Sequence, residues 1–398
     1  MSEKRSRIIQ LDIIRGFALL GILLVNMSSF HSPDIIKSYY GLPNNYQGLE
    51  KFISIFFTLF IQMKFYPIFA FLFGLGFYLF FLHTKRRTTF IKRMLFLLLL
   101  GLSHLVLIWH GDILHTYSIC GLILLLFYRL PSRKILYCSI GLLSLYHFLL
   151  LVSAFLPLSS TWDSDFIANK ISEYTTIYKE ASYTDWLYYR FQVEVLPILN
   201  QLPITIIPIL GSFLLGLYVG KKEMYIENEK NHHFITSCLK WTFMTSLPIV
   251  IVNGLILTSI IHIGQADQQL ISHFFSSVSG LSLSIFYMSS LFILCSYPKW
   301  LKLLLPFGFV GKMALSNYLL QSIVSIGFYR LFHLYEKVDL IEGTLISLVI
   351  FSSQLVFSYF WLTYFHYGPA EWLWRTLTYG QIMPLKKGRK LTKNHDHS

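Results

Sequence analysis

Apolar runs of about twenty residues alternate with short polar stretches from residue 12 to residue 366. A helix needs roughly twenty apolar residues to cross the hydrocarbon core of a bilayer, and read at that length the pattern predicts ten spans: 12–30, 64–82, 90–109, 112–128, 135–157, 200–219, 239–262, 271–296, 306–332 and 343–366. The apolar segment 52–62 is too short to cross, and Lys64 separates it from the next run, so it is expected to be re-entrant or interfacial. The predicted fold class is all-α, a polytopic transmembrane helical bundle.

Two connections stand out. Residues 158–199 form the longest polar interruption, and its tryptophans and tyrosines predict an ordered outer loop, either capping a cavity or lying on the bundle. After the last span comes HYGPAEWLWRTLTYGQIMP, with Pro369 suited to a first helical turn, interfacial Trp372, Trp374 and Tyr379, and an i,i+4 pair of Glu371 with Arg375. The expected organisation is therefore one bundle over 1–366, a cytoplasmic amphipathic segment over 367–385, and a basic tail over 386–398.

Composition agrees with a membrane protein: 54% of residues are hydrophobic and only 13% charged, with a mean hydropathy of +0.55. A soluble domain carries about 25% charged residues. The net charge of +13 does not imply nucleic acid, because most Lys and Arg fall in short clusters at alternate ends of the spans. That is the positive-inside pattern, and it predicts both termini in the cytoplasm. The first span reads as a retained helix rather than a signal peptide, since no clear A-x-A site follows it. Cys120, Cys138, Cys238 and Cys295 lie in or beside apolar segments without metal-ligand spacing, and read as small hydrophobes. No metal is expected.

Candidate chemistry begins with Arg7 to Pro33, which places Asp12, Arg15, Asn26 and His31 in and around the first span. Polar groups at bilayer depth are costly and mark function by default. Asp12 and Arg15 share a helix face, so they either pair to anchor the helix end or leave Arg15 to hold a phosphate. Asn26 is about 16 Å further along the helix, near the outer end, and can donate to an oxyanion. His31 is a surface histidine or a base. A second polar cluster, Trp109-His110-Gly111-Asp112 with His115, falls at the same outer level; His110 can act as a base oriented by Asp112, which can also cap the following helix. His104, Asn317 and Gln321 read as hydrogen bonds between helices. The glycines of FLFGLGFY (Phe71 to Tyr78) indicate close packing, and no zinc, P-loop or G-x-S-x-G pattern is present.

Five motifs carry a resemblance: R-x-x-x-L-D-x-x-R-G-x-A-L-L-G-I-L-x-V-N-M (Arg7 to Met27), F-Y-P-I-F-A-F-L-F-G-x-G-F (Phe65 to Phe77), G-D-I-L-x-x-Y (Gly111 to Tyr117), G-K-M-A-L-S-N-Y-L-x-Q-S (Gly311 to Ser322) and G-P-A-E-W-L-W-R-x-L-T-Y-G (Gly368 to Gly380). Together they closely resemble the bacterial YeiB-like membrane proteins, whose C-terminal region carries a domain-of-unknown-function label. More distantly, the first helix resembles the opening helix of the transmembrane acyltransferase superfamily, which includes heparan-alpha-glucosaminide N-acetyltransferase and the bacterial O-acyltransferases. That resemblance implies a multi-pass protein of the bacterial cell membrane moving an acyl group from cytosolic acyl-CoA, acetyl-CoA above all, to an outward-facing sugar or envelope glycan. Arg15, beside Asp12, would hold the coenzyme phosphates; Asn26 and His31 match the functional Asn and His of the heparan enzyme by position.

The expected partners are thus the lipid bilayer, acyl-CoA and a glycan acceptor, and homo-oligomerisation is compatible with the pattern without being required by it. The rival is a transporter of a small solute or lipid precursor, with Asp12, Arg15, His104 and Asp112 along its path. A third reading is a structural subunit whose polar residues only join helices.

Overall fold

The computed structural model describes residues 8–42, 46–84, 86–155 and 163–387, without the side chains of 265–267. Those residues are helical almost throughout, and their one β feature is an isolated antiparallel bridge between Phe365 and Lys386. In chain order the helices are α1 (Ile9–His31), α2 (Asp34–Tyr39), α3 (Gly48–Phe60), α4 (Phe65–Thr84), α5 (Arg87–Leu107), α6 (Leu114–Phe127) and α7 (Ser132–Phe155). A cover segment follows, made of α8 (Ser164–Glu180), α9 (Tyr183–Arg190), a π-helical turn (Phe191–Val195) and α10 (Leu196–Asn200). Then come α11 (Leu202–Lys221), α12 (Glu229–Leu257), α13 (Gln265–Cys295), α14 (Pro298–Lys312), α15 (Ala314–Leu331), α16 (Leu340–Tyr364) and α17 (Pro369–Tyr379).

Among the described residues, eight helical stretches are long and apolar enough to cross a membrane, or nine if the bent pair α14–α15 counts as one span. The ten-span expectation is corrected on three points. The fourth span is α6, apolar but only 14 residues long. Segment 52–62 is no isolated re-entrant piece: it covers most of α3 and the start of the turn after it, and α3 runs with α4 into one 37-residue candidate span. The ninth span is not continuous, because it breaks at Met313 with a bend of 78°.

Chemistry at each interruption explains it. Between α3 and α4, Met63 takes φ +65°. The fully buried Lys64 then donates to the carbonyls of Thr58 (2.8 Å) and Ser276 (3.4 Å), satisfying acceptors in and across from the break. Asp339 and Glu342 form a capping box at the start of α16. Pro369 opens α17 and Gly380, at φ +66°, closes it.

Helices approach closely where side chains vanish. A Cβ on Gly16 would sit 1.9 Å from the Phe307 carbonyl oxygen, and one on Gly311 would sit 1.9 Å from that of Asp12, so α1 and α14 cross with their backbones in contact. Gly74 and Gly216 do the same for α4 and α11. Amides then join the bundle: Asn317 Nδ2 donates to Ser358 Oγ (3.0 Å), Gln321 Nε2 to Gln354 Oε1 (2.9 Å), and Gln354 Nε2 to the Asn317 carbonyl (2.9 Å). The expected interhelical role of Asn317 and Gln321 is the geometry found.

Candidate functional site

A cavity of about 400 Å³ opens among α1, α4, α5, α6, α15 and α17. Its two ends differ in chemistry. One carries Arg15, Arg93, Lys312 and Arg375; the other is closed by Ile113, Leu114, Tyr117 and Tyr318, with Phe69, Phe73 and Leu97 between. Its volume falls within the range of small-molecule sites. Gly76 opens the wall: nothing lies within 4 Å of a Cβ built there, whereas Gly74, two residues earlier, is pressed against α11.

The basic end is built by several elements. Arg15 Nη1 bonds Asp12 Oδ1 at 3.0 Å, the expected pair, and reaches the Gly311 carbonyl at 3.5 Å. Arg15 is thus paired with Asp12 and also lines the cavity. Arg93 lies with its guanidinium 3.8 Å from the Trp374 ring centre, while Trp374 Nε1 donates to the Arg93 carbonyl at 2.8 Å. α17 is thereby a wall of the cavity as well as an amphipathic helix.

The break at Met313 frees the first amides of α15, and Glu371 takes them. Its carboxylate accepts from Leu315 N (2.7 Å), Ser316 N (3.2 Å) and Ser316 Oγ. The expected Glu371–Arg375 pair is therefore replaced: Glu371 caps α15, and Arg375 stacks over Tyr367 at 4.5 Å. Burial pushes the Glu371 carboxyl above the usual range, against hydrogen bonds that pull it down.

Behind the apolar end, outside the cavity lining, stands Asp112. It is buried, and its Oδ2 lies 2.8 Å from His104 Nδ1. Its Oδ1 accepts from His115 Nδ1 (2.9 Å) and His115 N (3.0 Å), so the expected capping bond is present too. Burial alone would raise the carboxyl; hydrogen bonds from His104 and His115 outweigh it and hold Asp112 below the usual range. An ionised carboxylate only accepts, so both Nδ1 atoms carry protons. His104 Nε2 is a buried ring nitrogen without a hydrogen-bond partner among the described residues, while His115 Nε2 meets Thr116 Oγ1 at 3.1 Å. The Tyr318 ring lines the cavity and sits 5.5 Å from the His104 ring.

His110 and Asp112 were expected in one cluster, and the structure separates them. His110 Nδ1 is 3.3 Å from Glu194 Oε2, at an angle that makes no hydrogen bond. Glu194 also binds Arg190 Nε (2.6 Å), Tyr174 Oη (2.5 Å) and Tyr178 Oη. Burial would raise Glu194, but His110 and Arg190 drive it far below the usual range. Arg190 in turn donates to the carbonyls of Leu105 and Val106, which ties the cover segment onto the end of α5. The expected outer loop is thus helical and lies on the bundle.

Asn26 is half-buried and does not line the cavity. His31 is buried, with Nε2 3.1 Å from Met27 Sδ and its ring 5.0 Å from Tyr329. The residue that sequence reasoning underrated is His104. Its only signal was eight-residue spacing to Asp112 across a helix end, which is hard to tell from ordinary helix–helix bonding. Among the described residues, no group of three or more His, Cys, Asp or Glu is arranged to hold a metal.

Fold and site together define a multi-pass membrane protein with a charged, ligand-sized cavity. The chain belongs to the DUF418 family: residues 219–381 match the family described as "Protein of unknown function (DUF418)". Relatives extend the likeness to the whole length. It is 31% identical over 396 residues to the "Uncharacterized 39.9 kDa protein in amylase 3'region" of Bacillus acidopullulyticus, covering 95% of this chain and 96% of that protein. It is 29% identical to the "Uncharacterized protein YxaH" of Bacillus subtilis (strain 168), covering 97% of each, and 28% identical to the "Uncharacterized protein YeiB" of Escherichia coli (strain K12), covering 94% and 96%.

Proposed function

We propose that the protein is an integral membrane acyltransferase moving an acyl group, acetyl in the first instance, from acyl-CoA to a hydroxyl or amine of a sugar or envelope glycan. One observation carries the reading: a single cavity has four cationic side chains at one end and approaches the His104–Asp112 pair at the other. Guanidinium groups match phosphate oxygens bidentately, so Arg15 and Arg375 would hold the coenzyme phosphates, and the apolar passage past Gly76 would take the thioester arm. His104 Nε2, oriented by Asp112, would take the proton of the acceptor while its oxygen or nitrogen attacks the thioester carbon. Collapse of the tetrahedral oxyanion breaks the C–S bond, and the leaving thiolate recovers the proton from His104. The position of His104 beside the cavity makes it the base in preference to His110; Asn26 and His31 remain groups of the acceptor side.

The test uses protein reconstituted in lipid nanodiscs. Acetyl-CoA binding and thioester hydrolysis are measured for the native chain, an Arg15→Ala, Arg375→Ala double variant, and His104→Ala. The expected result is weaker binding in the first variant and lost turnover with retained binding in the second. A native protein that neither binds nor cleaves acetyl-CoA, with envelope acylation unchanged in cells carrying these variants, ends the reading.

The break at Met313 favours a second reading, because discontinuous helices frame the substrate sites of many transporters. Solute uptake into proteoliposomes without acyl-CoA would decide for it.

A further inference from the structure

Two of the four cations at the basic end of the cavity have no acid to answer them. Arg15 is paired with Asp12 at 3.0 Å, whereas Arg93 and Arg375 form no ion pair or side-chain hydrogen bond among the described residues. Glu371, the carboxylate of the same lining, is engaged by Leu315 and Ser316 of α15. What holds the two guanidinium groups is aromatic. Arg93 lies 3.8 Å from the Trp374 ring centre and 5.7 Å from that of Phe80, and Arg375 lies 4.5 Å from that of Tyr367. Trp374 Nε1 also donates to the Arg93 carbonyl (2.8 Å), so the ring is fixed to the backbone of the residue whose side chain it carries.

Stacking occupies the face of a guanidinium and leaves the N–H donors along its edge unused. Arg375 and Arg15 both act electrostatically on Arg93. Like charges gathered without a counter-charge cost stability, and such arrangements concentrate at functional sites. The two unanswered groups come from different elements, Arg93 from α5 and Arg375 from α17, and both line the cavity. A matching ligand brings two negative charges to two forks. Phosphoryl oxygens meet a guanidinium edge bidentately, and a diphosphate joins two phosphoryl groups through one oxygen. A carboxylate or a single phosphodiester would leave one fork unanswered.

We infer that Arg93 and Arg375 form a clamp for a diphosphate, closed from α5 on one side and α17 on the other. This deepens the acyltransferase reading, on which the identity of the diphosphate as that of the coenzyme rests; the apolar lining of Phe73 and Leu97 would equally take the chain of a prenyl-linked diphosphate. Glu371 ties α17 to α15 and Trp374 ties it to α5. A diphosphate held by both arginines adds a further link between α5 and α17, so its binding stabilises the folded chain by mass action.

The test measures binding of radiolabelled ADP and of radiolabelled farnesyl diphosphate, each against its monophosphate, to the full chain in phosphatidylcholine nanodiscs, with acetyl-CoA hydrolysis followed on the same samples. At least one diphosphate is expected to bind about tenfold or more tighter than its monophosphate and to raise the unfolding midpoint. Preference for ADP assigns the clamp to a nucleotide coenzyme, and preference for farnesyl diphosphate assigns it to a lipid-linked group. Arg93→Lys and Arg375→Lys keep the charge and lose the fork; each is expected to weaken that binding about tenfold, with the midpoint of the unliganded chain within about two degrees of the native one. Binding of neither diphosphate overturns the inference, as does equal affinity for diphosphate and monophosphate or unchanged affinity in either Lys variant. Diphosphate binding without acetyl-CoA hydrolysis keeps the clamp and ends the acyltransferase reading; hydrolysis with no preference for diphosphates ends the clamp alone.

Discussion

Asp112 Oδ2 and His104 Nδ1 stand 2.8 Å apart in a buried pair that joins the end of α5 to the approach to α6. The carboxylate accepts from Nδ1 and orients the ring, and Nε2 is the ring nitrogen left without a partner among the described residues.

Replacing Asp112 should separate two effects. Asp112→Ala leaves two histidines facing an empty site and should cost about 3–5 kcal/mol of stability. Asp112→Asn keeps the shape, so the fold should survive while thioester turnover falls about a hundredfold with acetyl-CoA binding intact, as loss of an oriented general base requires. Nanodisc unfolding midpoints and turnover rates check both.

The same carboxyl gives a pH prediction. Because its folded value is depressed, the unfolded chain takes up the proton first as pH falls, and stability from Asp112 is complete above the ordinary aspartate range. It is lost as pH drops through the folded value. Comparing acid unfolding of the native chain and Asp112→Asn should show a shallower acid limb in the variant and no difference in slope between pH 6 and 8.

Glu371 should behave in the opposite sense. Its folded value is raised, so the folded chain holds the proton longer and this group's contribution to stability declines as pH rises from the unfolded value through the folded one. Glu371→Gln retains a carbonyl oxygen for Leu315 N and removes the cost of a buried charge; its midpoint at neutral pH should equal or exceed the native one. Glu371→Ala, which uncaps α15, should lose about 0.5–2 kcal/mol. A Gln variant as damaged as the Ala variant would contradict this.

Gly74 and Gly76 offer a paired test of the cavity. Gly74→Ala drives a methyl toward the Phe213 carbonyl, 1.9 Å from the built Cβ, and should destabilise by about 1–3 kcal/mol. Gly76→Phe enters open space and should leave the midpoint within a degree or two while reducing acetyl-CoA binding more than tenfold.

Arg15 should contribute electrostatically and through its fork of donors. Arg15→Lys keeps the charge and loses bidentate geometry, so binding of acetyl-CoA should weaken less than in Arg15→Ala. Binding by the native chain should fall with added salt. Titrations at low and high ionic strength read both effects.

Much of the frame was legible from local pattern. Apolar runs gave the helices, three-residue spacing gave the Asp12–Arg15 pair, and four-residue spacing put Asn317 and Gln321 on one bonded face. What escaped depends on partners distant in sequence. His110 and Asp112 are neighbours in the chain, yet Glu194 on the cover claims one, and His104 and His115 claim the other. Nothing in Lys312-Met313-Ala314 signals a 78° bend, because the group that stabilises it, Glu371, arrives from α17. Gly74 and Gly76 look alike in sequence, while the helix turn sends one to a neighbouring backbone and the other to open space.

The cap on α15 has a further consequence for what the cavity can accept. A helix beginning inside a protein is a ready seat for a negative group, and here the chain has filled that seat with its own carboxylate. An anion arriving from solution meets this resident before it reaches the helix, so the cationic rim of Arg15, Arg93, Lys312 and Arg375 is left as its resting place. Under the proposed function, a ligand would therefore enter this cavity with its charge at the basic rim and its neutral end leading inward.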